Sequence, residues 1–179
     1  MTKQELANEI YNISRIEGEF KLRSGIVTNE YFDKYQFESN PVLLKEISKY
    51  FASMLNKNHN EKNIEYDFLA GLELGGIPIA TVLGIDISTP IVFVRKNAKK
   101  YGTSKFVEGP DIKTKKLLIV EDVVTSGGQI INSVQELRKE GAIITHAICV
   151  IDREQGGKEA LEKIGIELLP LFSITELKA

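Results

Sequence analysis

"LLIVEDVVTSGGQI", residues 117 to 130, decides how the chain is built. An apolar run ends in two adjacent carboxylates, Glu121 and Asp122. Val123 and Val124 follow, then Thr125, Ser126, Gly127, Gly128 and Gln129. A short continuous apolar run bounded by turn residues reads as a strand buried on both faces. The helix "GGQIINSVQELRKEG" comes next and is ended by Gly141. The sequence thus brings a buried strand to two acids beside a loop of hydroxyls and glycines.

The same alternation repeats outward from this stretch. "YDFLA" reads as a strand and "GGIPIATVLGI" as a helix; "PIVFV" is a strand followed by a polar stretch from Arg95 to Thr114. "THAICVI" and "ELLPLF" are strands separated by the helix "GKEALEKIG". Apolar strands alternating with helices predict an α/β fold with a mostly parallel sheet and helices on both faces. In such sheets ligands bind beyond the carboxyl ends of the strands. Upstream, a helix is expected after Thr2 as N-cap and running to about Ile16, with Leu6, Ile10 and Ile13 on one face. "GEFKLRSGIVTNEYFD" reads as short extended pieces around Gly25, and Pro41 opens a second helix.

Bulk properties narrow the function classes. The 179 residues suffice for one domain with a sizeable core. Net charge is -2, so an anion site has to be a local cluster. The one cysteine, Cys149 in "AICVI", forms no internal disulfide, fits a reducing compartment and reads as packing. His59 and His146 belong to no Cys/His cluster, which argues against a structural zinc site. No apolar run is long enough to cross a bilayer, and the N-terminus, with Glu5, Glu9 and Glu17, is neither a signal nor a transit peptide. A cytoplasmic protein is expected.

Four loops follow the strands. "GLELGGIP" is not a P-loop, since Ile77 stands where a lysine would follow the last glycine. Its glycines suit close backbone approach to a ligand, or a tight turn. "RKNAKKYGTSKFVEGP" carries Arg95, Lys96, Lys99, Lys100 and Lys105 with no acid before Glu108. It reads as a cationic lid over an anionic substrate, or as a solvated basic loop. Thr125 to Gly128 lie just before a helix, where backbone N–H groups and the helix dipole suit a phosphate. Glu121 and Asp122 would repel that phosphate. They suit the vicinal hydroxyls of a sugar, or a metal held through water. Acids and an anion nest a few residues apart imply a ribose phosphate. In "DREQGG", Arg153 lies at the same sheet edge, as an anion-recognition or a surface ion-pair residue.

"LLIVEDVVTSGG" resembles the signature of type I phosphoribosyltransferases. "FKLRSG", "EYFD", "RKNAKKYGT" and "DREQGG" resemble, within that group, the orotate phosphoribosyltransferases. The resemblance implies a type I core in a single domain, residues 1–179. A small hood comes mainly from residues 1–40 and the C-terminal end. It implies the reaction of orotate with 5-phosphoribosyl 1-pyrophosphate, giving orotidine 5′-monophosphate and pyrophosphate, with Mg²⁺. The ion would be carried by the donor, possibly water-bridged to Asp122, without direct protein ligation.

By the same resemblance, the loop from Thr125 to Gln129 holds the 5′-phosphate, Val123 and Val124 belong to the donor site, and Glu121 and Asp122 meet the ribose hydroxyls. Arg95, Lys96, Lys99 and Tyr101 in the lid, with Gly75, would bind the pyrophosphate. Arg23, Tyr31, Phe32, Thr125 and Arg153 would form the orotate site. Catalysis falls to Lys99, Glu121 and Asp122. A homodimer with the lid shared between subunits is implied. Three positions depart from the family pattern: Arg23 stands where many relatives carry lysine, Tyr101 where some have a lid histidine, and Gly75 where some place a lysine. Gly75 would leave its loop to bind through backbone N–H groups. Two rivals are a phosphoribosyltransferase for another base and a non-catalytic regulator that senses phosphoribosyl pyrophosphate and binds nucleic acid. A pI of about 5.8 and an intact cationic lid argue against the regulator.

Overall fold

A computed structural model describes residues 1–21, 25, 27–61, 64–97 and 106–178. Arg23, Lys99, Lys100, Tyr101 and Lys105 lie outside the described residues.

Helix α1 (Lys3–Ser14) starts as expected, in a capping box. Thr2 Oγ1 accepts from the Glu5 N–H at 3.2 Å, and Glu5 Oε2 accepts from the Thr2 N–H at 2.8 Å. It ends two residues before Ile16 because strand β1 (Arg15–Lys21) pairs antiparallel with β2 (Val27–Phe32), beginning at Arg15 opposite Phe32. Leu6, Ala7, Ile10 and Ser14 form its buried face, so Ile13 is turned outward, contrary to expectation. The β1–β2 ribbon lies within residues 1–40, the segment expected to form most of the hood. A short helix, α2 (Tyr35–Glu38), was not expected; it carries Phe37 and Glu38 inward. Asn40 Oδ1 then accepts from Val42 and Leu43, and α3 (Pro41–Glu61) begins with proline in its first turn.

The remaining elements are β3 (Phe68–Leu72), α4 (Gly76–Asp86), β4 (Ile91–Val94), β5 (Val107–Glu108), β6 (Lys116–Val124) and α5 (Gly128–Lys139). They are followed by β7 (Ile143–Asp152), α6 (Gly157–Glu162), β8 (Glu167–Ser173) and α7 (Ile174–Leu177). They build one sheet in the order β5-β4-β3-β6-β7-β8, parallel throughout except for β5 against β4. One core, under α1, α3 and α4, contains Ile10, Phe51 and Leu83. The other, under α5 and α6, contains Val134, Leu137, Leu161 and the buried Cys149. Burying each such leucine contributes about 1.5–3 kcal/mol relative to exposure. The expected mostly parallel α/β architecture is present.

Two sequence boundaries are corrected. The stretch from Arg95 to Thr114 is not wholly loop: Phe106, Val107 and Ile112 are buried, and β5 returns to pair with β4. The strand at residue 116 does not end at the acids. β6 keeps pairing with β7 up to Val124 opposite Asp152, so Glu121 and Asp122 are ladder residues. No helix among the described residues is long and apolar enough to cross a membrane.

Candidate active site

The carboxyl ends of β6 and β7 open onto two cavities. The first, about 320 Å³, is lined by Lys34, Glu121, Asp122 and the loop from Thr125 to Gln129. Gly127 sits at the N-cap of α5 with φ +76°, a conformation glycine adopts without strain. It has no side chain to cap the helix, and no acid stands in the first turn. The leading N–H groups therefore have no side-chain cap and face an anion-compatible dipole, worth about 0.3–1 kcal/mol to a nearby negative charge.

The acids behave differently from solvated carboxylates. Glu121 and Asp122 are 4% and 1% exposed. Glu121 Oε1 accepts from the Asp122 N–H at 3.0 Å, and Asp122 Oδ1 accepts from the Val123 N–H. Asp122 Oδ2 pairs with Lys34 Nζ at 2.5 Å. Burial, then the Asp122 charge, raises the Glu121 carboxyl well above the usual range. Behind them lies Glu38, also buried. Burial first, then hydrogen bonding to and repulsion by Asp122, pushes Glu38 up to about 9. Burial opposes the charge on Lys34, but Asp122 more than offsets it, and the Lys34 pKa is raised.

A proton held by Glu38 in the folded state and released by the unfolded chain makes stability fall with rising pH. The window runs from the ordinary carboxylate range up to about 9. Glu38→Gln, which needs no proton, is expected to lose less melting temperature than the parent between pH 6 and pH 9, in thermal melts read by circular dichroism. Parallel curves would mean Glu38 is ionised in the folded protein.

The second cavity, about 210 Å³, lies under the hood and is lined by Tyr31, Phe32 and Arg153, with Arg15, Glu30 and Lys178 at its edge. The Tyr31 ring packs 5.5 Å from Phe20. The Arg153 N–H donates to Val124 O at 2.8 Å, which ties the second cavity to the loop of the first. Arg153 Nε is buried and has no hydrogen-bond partner. An orphaned buried guanidinium nitrogen is costly, and an entering carboxylate would satisfy it. Glu30 is held by Arg15 at 3.0 Å and Lys178 at 3.8 Å, so the neighbouring charges are already paired.

The lid stems are anchored on the same rim. The Arg95 N–H donates to Phe106 O at 2.9 Å. The Lys96 N–H donates to Glu73 Oε2 at 2.9 Å, and Gln129 Nε2 donates to Glu73 O at 2.8 Å. Glu73 thus joins the lid stem to the anion loop. Arg95 is not an unopposed lid cation: its guanidinium pairs with Glu108 at 3.3 Å across β4 and β5. Gly75 caps α4 at φ −70°, and a Cβ there would stand 1.7 Å from Asp122 Oδ2 and 2.6 Å from Glu38 Oε1. Lys34, Glu38 and Glu73 are the site residues that sequence reasoning missed. The only sequence signal for the first two was the position of "DKYQFE", just after the aromatic "EYFD".

The phosphoribosyl transferase domain model matches residues 35–169. Curated orotate phosphoribosyltransferases extend the likeness into the hood. That of Pyrococcus horikoshii is 42% identical across 98% of this chain and 92% of its own length. That of Nocardioides sp. is 40% identical across 97% and 93%. The chain belongs to the orotate phosphoribosyltransferase family. The crystal structure of the Aeropyrum pernix orotate phosphoribosyltransferase superposes with a TM-score of 0.80, at 26% identity over 96% of this chain and 95% of that one.

Proposed function

We propose that this chain, a pentosyltransferase of pyrimidine biosynthesis, uses the two cavities for the two substrates of one displacement. A ring nitrogen of orotate forms a bond to the anomeric carbon of phosphoribosyl pyrophosphate. The bond from that carbon to the pyrophosphate oxygen breaks, and pyrophosphate leaves with the electron pair. The observation that carries this reading is Arg153: its buried Nε lacks a partner, it faces Tyr31 and Phe32, and its backbone is bonded to the anion loop.

The chain's own groups then divide the work. The loop from Thr125 to Gln129, preceded by Val123 and Val124, takes the 5′-phosphate, and Glu121 and Asp122 hold the ribose hydroxyls. Arg153 takes the orotate carboxylate, with Arg23, Tyr31, Phe32 and Thr125 around the ring. Lys96, Lys99 and Tyr101 receive the pyrophosphate; Arg95, already paired, steadies the stem. No covalent nucleophile is needed. Positioning, charge stabilisation and exclusion of water from the sugar cation suffice. Mg²⁺, entering on the donor, supplies further neutralisation of the leaving group. The donor set fits an outer contact, because Asp122 already serves Lys34 and the Val123 N–H. The family resemblance supports a single domain, a homodimer with a shared lid, and a cytoplasmic setting, which suits the buried free thiol of Cys149.

The test is the loss of orotate absorbance with phosphoribosyl pyrophosphate and Mg²⁺, with and without EDTA. Metal-dependent turnover is the expected result. Donor binding without orotate turnover would assign the site to another base. Within this scheme, Arg153→Ala is expected to raise the KM for orotate by about 10–100-fold, the worth of a hydrogen bond to a charged group. The KM for phosphoribosyl pyrophosphate should stay within a few-fold. Equal loss for both substrates would make Arg153 structural.

A further inference from the structure

A diphosphate entering the first cavity meets acidic walls, Glu121 and Asp122. Among the described residues, the cation lining that cavity is Lys34, which arrives from the hood between β2 and α2. Asp122 is 1% exposed, while Lys34 keeps 35% of its side chain accessible. The ammonium therefore covers the buried carboxylate from the cavity side. It has three N–H donors, and Asp122 Oδ2 takes one at 2.5 Å. Every neighbour that acts on it favours the charged form: Asp122, Glu38 and Glu121 by charge, and the Tyr35 ring 5.4 Å away. Gly75, in the turn before α4, offers no such group. A side chain at position 75 would run into Asp122 and Glu38 at its first carbon, so a cation has to approach over the carboxylates instead.

We infer that Lys34 is a donor-binding residue whose ammonium bridges Asp122 and the diphosphate of phosphoribosyl pyrophosphate. This rests on the reaction proposed above. A bridging ammonium adds directly to anion affinity, whereas a lysine that only neutralises Asp122 acts through that carboxylate alone.

Calorimetric titration with inorganic pyrophosphate and with phosphoribosyl pyrophosphate separates the two. The proteins are the parent, Lys34→Met (which keeps the alkyl stem), Lys34→Arg, Asp122→Asn and the Lys34→Met/Asp122→Asn double variant. Melting curves establish that each is folded. Parent turnover of orotate is measured first; its absence would overturn the reaction, not the anion contact. Lys34→Met is expected to weaken both ligands by about 10–100-fold, the range for a charged hydrogen bond. Lys34→Arg should recover part of the loss, and the orotate KM at saturating donor should change little. With Asp122→Asn as background, Lys34→Met should still weaken pyrophosphate at least severalfold. Unchanged pyrophosphate affinity in Lys34→Met, or no effect of Lys34→Met once Asp122 is Asn, would overturn the bridge. If Lys34→Met does not fold, Lys34→Arg alone decides: it must bind pyrophosphate more weakly than the parent, yet measurably.

Discussion

Lys99→Ala is expected to lower kcat by about 10²–10³-fold, the usual cost of removing one group aimed at developing transition-state charge. The dissociation constant of phosphoribosyl pyrophosphate should change only a few-fold. The reason lies in when the charge appears. In the ground state the diphosphate, with whatever metal the donor would carry, is held by Lys96 and, by our inference, by Lys34. As the bond to the anomeric carbon breaks, an additional negative charge collects on the departing oxygen. A cation that meets it only then lowers the barrier without tightening ground-state binding. The sequence puts Lys99 in the most cationic part of the chain. The described stem at Lys96 is tied to the phosphate loop: the Lys96 N–H donates to Glu73, and Gln129 donates to Glu73 O. Steady-state kinetics beside equilibrium titration of the donor measure the split. Unchanged turnover would remove Lys99 from catalysis, and a loss confined to donor affinity would make it a ground-state contact.

Most of the sheet could be read from the chain because parallel strands buried on both faces leave uninterrupted apolar runs, as in "KLLIV" and "AICVI". The same rule hid the end of β6. Two acids look like a strand's exit to solvent, yet Glu121 and Asp122 stay in the ladder, buried. They can do so because Lys34 and the Val123 N–H satisfy the Asp122 charge locally, and the Asp122 N–H donates to Glu121. Lys34 comes from 88 positions upstream, a pairing no local pattern encodes. β5 was hidden for another reason: two residues show no periodicity, and the basic stretch before them dominates the reading. The pairing of Arg95 with Glu108 is tertiary in the same sense, arising only because β5 folds back on β4. The ribose-phosphate loop was legible because its chemistry is local: hydroxyls and glycines, strand before and helix after.

Gly75→Lys, which would place a lysine in the loop before α4, is expected to inactivate the enzyme. The backbone is not the obstacle, since φ −70° suits any residue. The obstacle is the first side-chain carbon, 1.7 Å from Asp122 Oδ2 and 2.6 Å from both Asp122 Cγ and Glu38 Oε1. Neither acid can withdraw easily. Asp122 is 1% exposed, lies in a β ladder and accepts from the Val123 N–H; Glu38 is 5% exposed in α2. Overpacking of this kind costs about 1–3 kcal/mol in stability. The larger effect is on the reaction: displacing the ribose-binding carboxylate by about 1 Å is enough to cost ~10²-fold in kcat/KM. Gly75→Ala isolates the cause, because it adds the carbon without the charge and should fail in the same way. Kinetics and thermal melts on both variants measure it. If Gly75→Ala kept near-parent activity, Asp122 would be free to move aside at little cost. A cation could then approach from the β3–α4 side after all, and the steric reason for drawing it from Lys34 in the hood would be gone.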